Sequence, residues 1–249
     1  MSVHSGNLIT FANFKGGSGK STFAISFLQH LRQTRPDAHL LALDADDDGT
    51  MLQWVQEVPP VFSHGGPFAE SPRRQFDFCA LDLQRNLEEL QDIVRALLPH
   101  YDYIVADVVG YAHPIAKALA DLSSLVVIPA EPSPFAIQGL RRMPDILVGV
   151  NNVLFFNRVP EDPREAVANS PDGKMAKGLE SIIAMIREHW PVFDVAPEYL
   201  HNSEFLHEIL RPAPKSFRGK PAPEEAPEVL AFRNQLRMVN ERIFSKLRD

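Results

Sequence analysis

The chain has 249 residues, 45% of them hydrophobic, enough to bury one sizeable α/β core, and a formal net charge of −7 that excludes a protein basic over its whole surface but not a local basic face. Its single cysteine, Cys79, excludes an internal disulfide framework and suits a reducing cytoplasm. No apolar run approaches the roughly 20 residues that span a bilayer, and the first residues lack a secretory pattern.

Strand and helix patterns alternate along the chain. An apolar strand over 8–14 runs into a glycine-rich stretch, then into a helical pattern over 23–31. A short strand over 39–43 ends at Asp44, and a helix follows over 50–56. Residues 59–75, with Pro59, Pro60, Pro67 and Pro72 around Gly65-Gly66, have the composition of a surface loop. Next come a strand over 76–81, in which Cys79 is expected as a buried strand residue rather than a reactive thiol, a helix over 84–98, and a strand over 103–106 that ends at Asp107. Two more buried-strand runs, 125–128 and 153–156, flank a helix over 136–148. Strands separated by helices of this length predict βαβ units: an α/β, doubly wound, mainly parallel sheet flanked by helices, forming a single domain over 1–249. Ligands of such sheets sit at the carboxyl ends of the strands, where Lys15, Asp44, Asp107 and Asn157 all fall.

The glycine-rich stretch is Lys15-Gly16-Gly17-Ser18-Gly19-Lys20-Ser21-Thr22. Between a strand and a helix, it predicts a phosphate-binding loop, in which glycines let successive N–H groups turn inward and the helix N-terminus adds positive potential. Lys20 would reach the β- and γ-phosphates of a nucleotide, and the Ser21 hydroxyl would ligate Mg²⁺. Phe14 stands where the usual pattern has its first glycine, and Lys15 is an additional lysine. In this form the loop resembles the deviant Walker A loop of the ParA/MinD family of P-loop ATPases. The resemblance implies ATP and Mg²⁺ as cofactors, and a catalytic Lys15 that reaches across a sandwich homodimer to the partner subunit's nucleotide, much as an arginine finger does.

Asp44-Ala45-Asp46-Asp47-Asp48-Gly49 resembles that family's first switch loop, with Asp47-Asp48 in place of the usual Pro-Gln. The resemblance puts Asp44 near the metal and Asp46 on the hydrolytic water; the residues themselves also suit a cap on the helix that begins near Thr50. Asp107 resembles the Walker B aspartate, a further metal-shell residue, and its spacing to Gly110 matches a second switch, although Val108-Val109 replace the family's prolines. Asn157-Arg158 resembles the segment that meets the adenine edge, while Asn157 equally suits a turn. The proline-flanked run 128–134 is assigned structure rather than chemistry.

Over residues 211–249, nine lysines and arginines face five acidic residues, a basic segment within an acidic chain. Val229, Phe232, Leu236, Val239, Ile243 and Leu247 form an apolar stripe at helical spacing, which predicts packing of a final helix on the protein's own core. Lys215, Arg218, Lys220, Arg233 and Arg237 are the candidate DNA contacts; a solvated face and a lipid-headgroup surface are the alternatives. The short stripe and the closing Asp249 favour DNA over an anionic membrane. The resemblance thus implies a small ParA-type ATPase, cytoplasmic and nucleoid-associated, whose ATP-bound dimer binds DNA non-specifically, whose hydrolysis is stimulated by an adaptor protein, and whose cargo is a plasmid, a chromosome region or a protein assembly. A MinD-like membrane-associated ATPase and a metabolic enzyme of the dethiobiotin-synthetase or cobyrinate-amidase type are the other readings.

Overall fold

The computed structural model describes residues 6–46, 49–57, 76–81, 86–110, 114–202 and 227–247. Its strands are β1 (Asn7–Phe11), β2 (Leu40–Ala45), β3 (Phe76–Ala80), β4 (Tyr103–Val108), β5 (Leu125–Ala130), β6 (Asn152–Val159), β7 (Val167–Asn169), β8 (Met175–Lys177) and β9 (Val195–His201). Its helices are α1 (Lys20–Thr34), α2 (Thr50–Glu57), α3 (Leu87–Leu97), α4 (Pro114–Ala120), α5 (Pro134–Leu140), α6 (Pro144–Leu147), α7 (Leu179–His189) and α8 (Pro227–Lys246).

Seven strands form one sheet in the order β3-β2-β4-β1-β5-β6-β9, and every neighbouring pair is parallel. A sheet of this kind is covered on both faces, which is why its inner strands are continuous apolar runs. Side chains alternate between two cores. Leu8, Leu41, Leu43, Ile104, Val126 and Leu154 point to the face covered by α3 to α7. Ile9, Phe11, Leu40, Val105, Val127 and Phe155 point to the face covered by α1, α2 and α8. The sheet is therefore a parallel, doubly wound one, as the alternation of elements predicts.

The stripe on α8 is part of this second core. Phe232, Leu236, Val239 and Ile243 are at most 5% exposed, and Asn240 Nδ2 donates to Ser26 Oγ on α1 at 2.8 Å. Gln235 accepts from the backbone of His201 at the end of β9, whereas Lys246 pairs with Asp194 just before its start. The last helix thus runs antiparallel to β9, with its first half beside the carboxyl edge of the sheet.

Two expectations change. The helix expected over 136–148 is two short helices, because Pro144 lacks an N–H and opens α6 as its first residue. Elements α4, α7, the antiparallel β7–β8 pair and β9 were not among the expected ones, although Leu179, Ile182, Met185 and Ile186 of α7 do follow helical spacing. Strand β9 carries Pro197 and Glu198 and survives as a strand because it lies at an edge, where a missing donor is tolerated. The whole of the expected loop over 59–75, together with Asp47, Asp48, Lys215, Arg218, Lys220, Val229 and Asp249, lies outside the residues or side chains described.

Candidate functional site

Residues 12–19 bridge β1 and α1 at the carboxyl edge of the sheet. Gly17 (φ +74°) and Gly19 (φ +97°) take left-handed conformations that side chains rarely adopt, and Gly19 is the N-cap of α1. No acidic residue occupies the first turn of α1, so nothing on the helix neutralises its positive end. Gly16 and Gly17 are open to solvent, whereas Ser18 and Lys20 are buried. Ser21 and Thr22, one turn in, are half-buried. This is a backbone cradle with a cationic wall, built for a phosphate chain.

Neighbouring strands close the cradle. A Cβ on Gly110 would lie 2.9 Å from Gly16 Cα and 3.2 Å from Lys20 Nζ, so the loop after β4 touches the phosphate loop directly. Asn157, at the end of β6, donates from Nδ2 to the Ser18 carbonyl at 3.1 Å and packs so closely on Gly19 that a Cβ there would fall 2.4 Å from that nitrogen. In this structure Asn157 braces the loop. The next residue, Arg158, sits where the β6–β9 register slips, has φ +55°, and turns its guanidinium onto Glu131.

Asp107 faces Phe11 in the β1–β4 register and Asp44 in the β2–β4 register, which places two carboxylates on adjacent strands. Asp107 is fully buried, and neither oxygen has a well-formed hydrogen bond among the described residues. Burial, above all, pushes its carboxyl up to about 7, Asp44 and Asp46 add to the rise, and the Ser21 hydroxyl and Lys20 ammonium oppose it. An orphaned carboxylate beside a hydroxyl fits a divalent cation, which would supply the missing positive charge. Among the described residues no group of three or more His, Cys, Asp or Glu is placed to hold a metal. A cation here would complete its shell with phosphate oxygens and water, the usual manner of Mg²⁺.

Asp44 is also buried, which raises its carboxyl above the usual range against the pull of its backbone donors. Its Oδ1 accepts from Asp46 N at 3.1 Å and its Oδ2 from Leu52 N at 3.0 Å. Asp44 therefore ties the loop after β2 to the first turn of α2, a capping role for which Asp46–Asp48 were the alternative candidates in the sequence. Asp46 is half-buried, and its carbonyl closes a turn onto Gly49 (φ +59°).

The arrangement matches a known group of proteins. The family model described as the CobQ/CobB/MinD/ParA nucleotide binding domain covers residues 9–207. The chain belongs to this family. A ParA family protein of Mycoplasma genitalium is 24% identical over 169 residues, which are 55% of this chain and 62% of that protein. A ParA family protein of Mycoplasma pneumoniae is 24% identical over 170 residues, again with 62% of its length covered. The chain thus spans less than two thirds of the curated relatives it matches. Among solved structures, the ATP complex of Cyanothece McdA superposes with a TM-score of 0.66 at 17% identity, over 98% of this chain and 96% of that one. MinD of Aquifex aeolicus gives 0.59 at 18% identity, over 94% and 96%. At such identities the likeness is one of fold: a P-loop ATPase fold of the ParA/MinD type.

For this ParA/MinD-family domain, the additional lysine stands apart from Lys20. Its backbone N–H donates to Asn13 Oδ1 at 3.0 Å, and Asn13 in turn donates to the Pro129 carbonyl at 2.7 Å. The Lys15 ammonium lies 3.6 Å from Glu131 Oε2 rather than over the cradle. Asn13 and Glu131 were not candidates from sequence; the proline-flanked run around Glu131 was the one available signal, and it was assigned structure. Arg233 and Arg237 are exposed on α8, Arg237 beside Glu241 at 3.7 Å, away from the buried stripe. No described helix is long and apolar enough to cross a membrane.

Proposed function

We propose that this domain is a ParA-type ATPase, in which ATP with Mg²⁺ closes a sandwich homodimer that binds DNA non-specifically and hydrolysis, stimulated by an adaptor protein, reopens it to move a plasmid, chromosome region or protein cargo. The observation that carries the reading is the position of Lys15. Its side chain is 31% exposed, its backbone is anchored by Asn13 and its ammonium is paired with Glu131, so a long flexible cation stands at the loop within reach of a nucleotide held by a second copy. Lys20, buried and beside Gly110, serves the protein's own β- and γ-phosphates. Ser21 and Asp107, with Asp44 behind them, are the residues that would hold Mg²⁺, which when bound offsets charge on the phosphate oxygens. Asp46, next to Asp44 in a turn at the edge of the site, would orient the attacking water.

Around Gln235, which meets the end of β9, α8 offers Arg233 and Arg237 to phosphate backbone, near the edge that a sandwich dimer would share. A membrane-anchoring α8 has less support, since Ile243, which would have to insert, is fully buried against the sheet. The test is to measure ATP turnover and solution mass with ADP and with ATP, and to pellet the protein with duplex DNA or with anionic liposomes under each nucleotide. ATP-specific doubling of mass with DNA retention is expected. An ATP-binding monomer that phosphorylates small molecules would overturn the reading in favour of a metabolic enzyme, and ATP-dependent liposome pelleting without DNA retention would shift it to a MinD-like one.

A further inference from the structure

Glu131 lies between two cations. Its Oε2 is 3.6 Å from the Lys15 ammonium and its Oε1 accepts from Arg158 Nη1, with the carboxylate only 18% exposed. Everything around the acid is stiff. Pro129, Pro132 and Pro134 flank it, Asn13 holds the Pro129 carbonyl, and the Glu131 carbonyl accepts from Ser133 N at 2.9 Å. The backbone of Lys15 is equally fixed, by Asn13 on its N–H and by Gly139, where an added Cβ would stand 3.1 Å from Lys15 Cβ. Only the four-carbon stem of Lys15 is left to move.

Arg158 reaches Glu131 by taking a left-handed backbone conformation, φ +55°, which is strained for any residue with a Cβ. That strain places a second cation on the acid. A half-buried carboxylate with one partner would hold its lysine firmly, because releasing it would leave an unpaired charge. With Arg158 already present, the lysine can leave and the acid stays neutralised. A partly exposed pair is weak, and the several negative charges of a triphosphate outcompete one carboxylate for the same ammonium.

We infer that Glu131 is a positioning residue that tethers Lys15 to its own protomer in the nucleotide-free protein and yields it when a nucleoside triphosphate is held for dimerisation, with Arg158 keeping Glu131 paired after the lysine departs. This rests on the ATPase reading above for the release, but not for the tether.

The tether is tested without nucleotide, by acylating the full chain with an amine reagent and following Lys15 by peptide mass spectrometry, normalised to exposed Lys117. Glu131→Gln is expected to raise the Lys15 labelling rate about two- to fivefold, the span of a surface ion pair, and Arg158→Ala to lower it as the acid turns wholly to the lysine. The release is tested by the ATP concentration at which half the protein dimerises, which Glu131→Gln should lower about two- to fivefold. That gain should vanish in a Lys15→Ala background, which a merely structural role for Glu131 would not produce. Unchanged Lys15 labelling in Glu131→Gln overturns the tether; an unmoved or raised ATP midpoint, or a gain that persists without Lys15, overturns the release. A wild-type chain that never dimerises with ATP overturns the ATPase reading and the release with it, while labelling still decides the tether.

Discussion

Asn157 reaches across 139 positions of sequence to hold the carbonyl of Ser18, joining the end of β6 to the middle of the phosphate loop through one buried hydrogen bond. A loop with exposed glycines at 16 and 17 needs such a brace, since its glycines bring conformational freedom along with access to phosphate. Asn157→Ala leaves a buried carbonyl unpaired and should cost about 1–3 kcal/mol of stability. Nucleotide titration separates brace from adenine reader. A brace predicts equal weakening for ATP and for inorganic tripolyphosphate; loss confined to ATP would restore the adenine-edge role.

Lys20→Ala should remove detectable ATP binding, because the cradle loses its buried counter-charge. Gly110→Ala should weaken ATP binding roughly tenfold or more by wedging a methyl group against Gly16 and Lys20, an effect worth about 1.4 kcal/mol or above. Both are read by calorimetric titration, with thermal unfolding as the control for fold. Wild-type affinity in Lys20→Ala would refute the phosphate-loop assignment.

Asp44 and Asp46 should part company on substitution. Asp44→Ala frees the N–H groups of Asp46 and Leu52 and should lower stability by about 1–3 kcal/mol, detected as a lower Tm. Asp46→Ala should leave Tm and ATP affinity near wild type yet block turnover and trap an ATP dimer on sizing chromatography. Unchanged turnover would reduce Asp46 to a turn residue.

Asp107 gives the apoprotein a signature in pH. Its folded carboxyl, at about 7, lies above its ordinary value of 3.8, so the folded state binds more protons than the unfolded one across that interval. Its contribution to stability is full below pH 3.8, declines as pH rises, and is gone above 7. Asp107→Asn cannot titrate. In chelator, the variant should gain on the wild type steadily between pH 4 and 7 and hold a constant lead above, as measured by thermal unfolding. A lead that does not change with pH would mean that Asp107 ionises as freely as a surface carboxylate.

Arg233 and Arg237 face solvent one turn apart. If they meet DNA phosphates, ATP-dependent binding should fall steeply with salt, and the double change to Ala should lower the slope of log affinity against log salt by about two. The same slope in the variant would place DNA elsewhere on the chain.

Local patterns in the sequence sufficed for the parallel sheet and the position of the loop. Apolar runs such as 125–128, bounded by turn residues, admit little besides a buried strand, and glycines before Lys20-Ser21 at a strand end admit little besides a phosphate cradle. The buried stripe of α8 was legible for the same reason: helical spacing is a local property. What each site residue touches was not legible, because those partners come from distant segments brought together by the sheet order. Asp44 faces Asp107 only because β2 adjoins β4, Asn157 braces Ser18, and Glu131 stands beside Lys15 only because β5 adjoins β1. The sequence by itself determined the chemistry available at the carboxyl edge; only the tertiary structure decided which groups are paired and which are orphaned by burial, because both depend on which strands lie side by side.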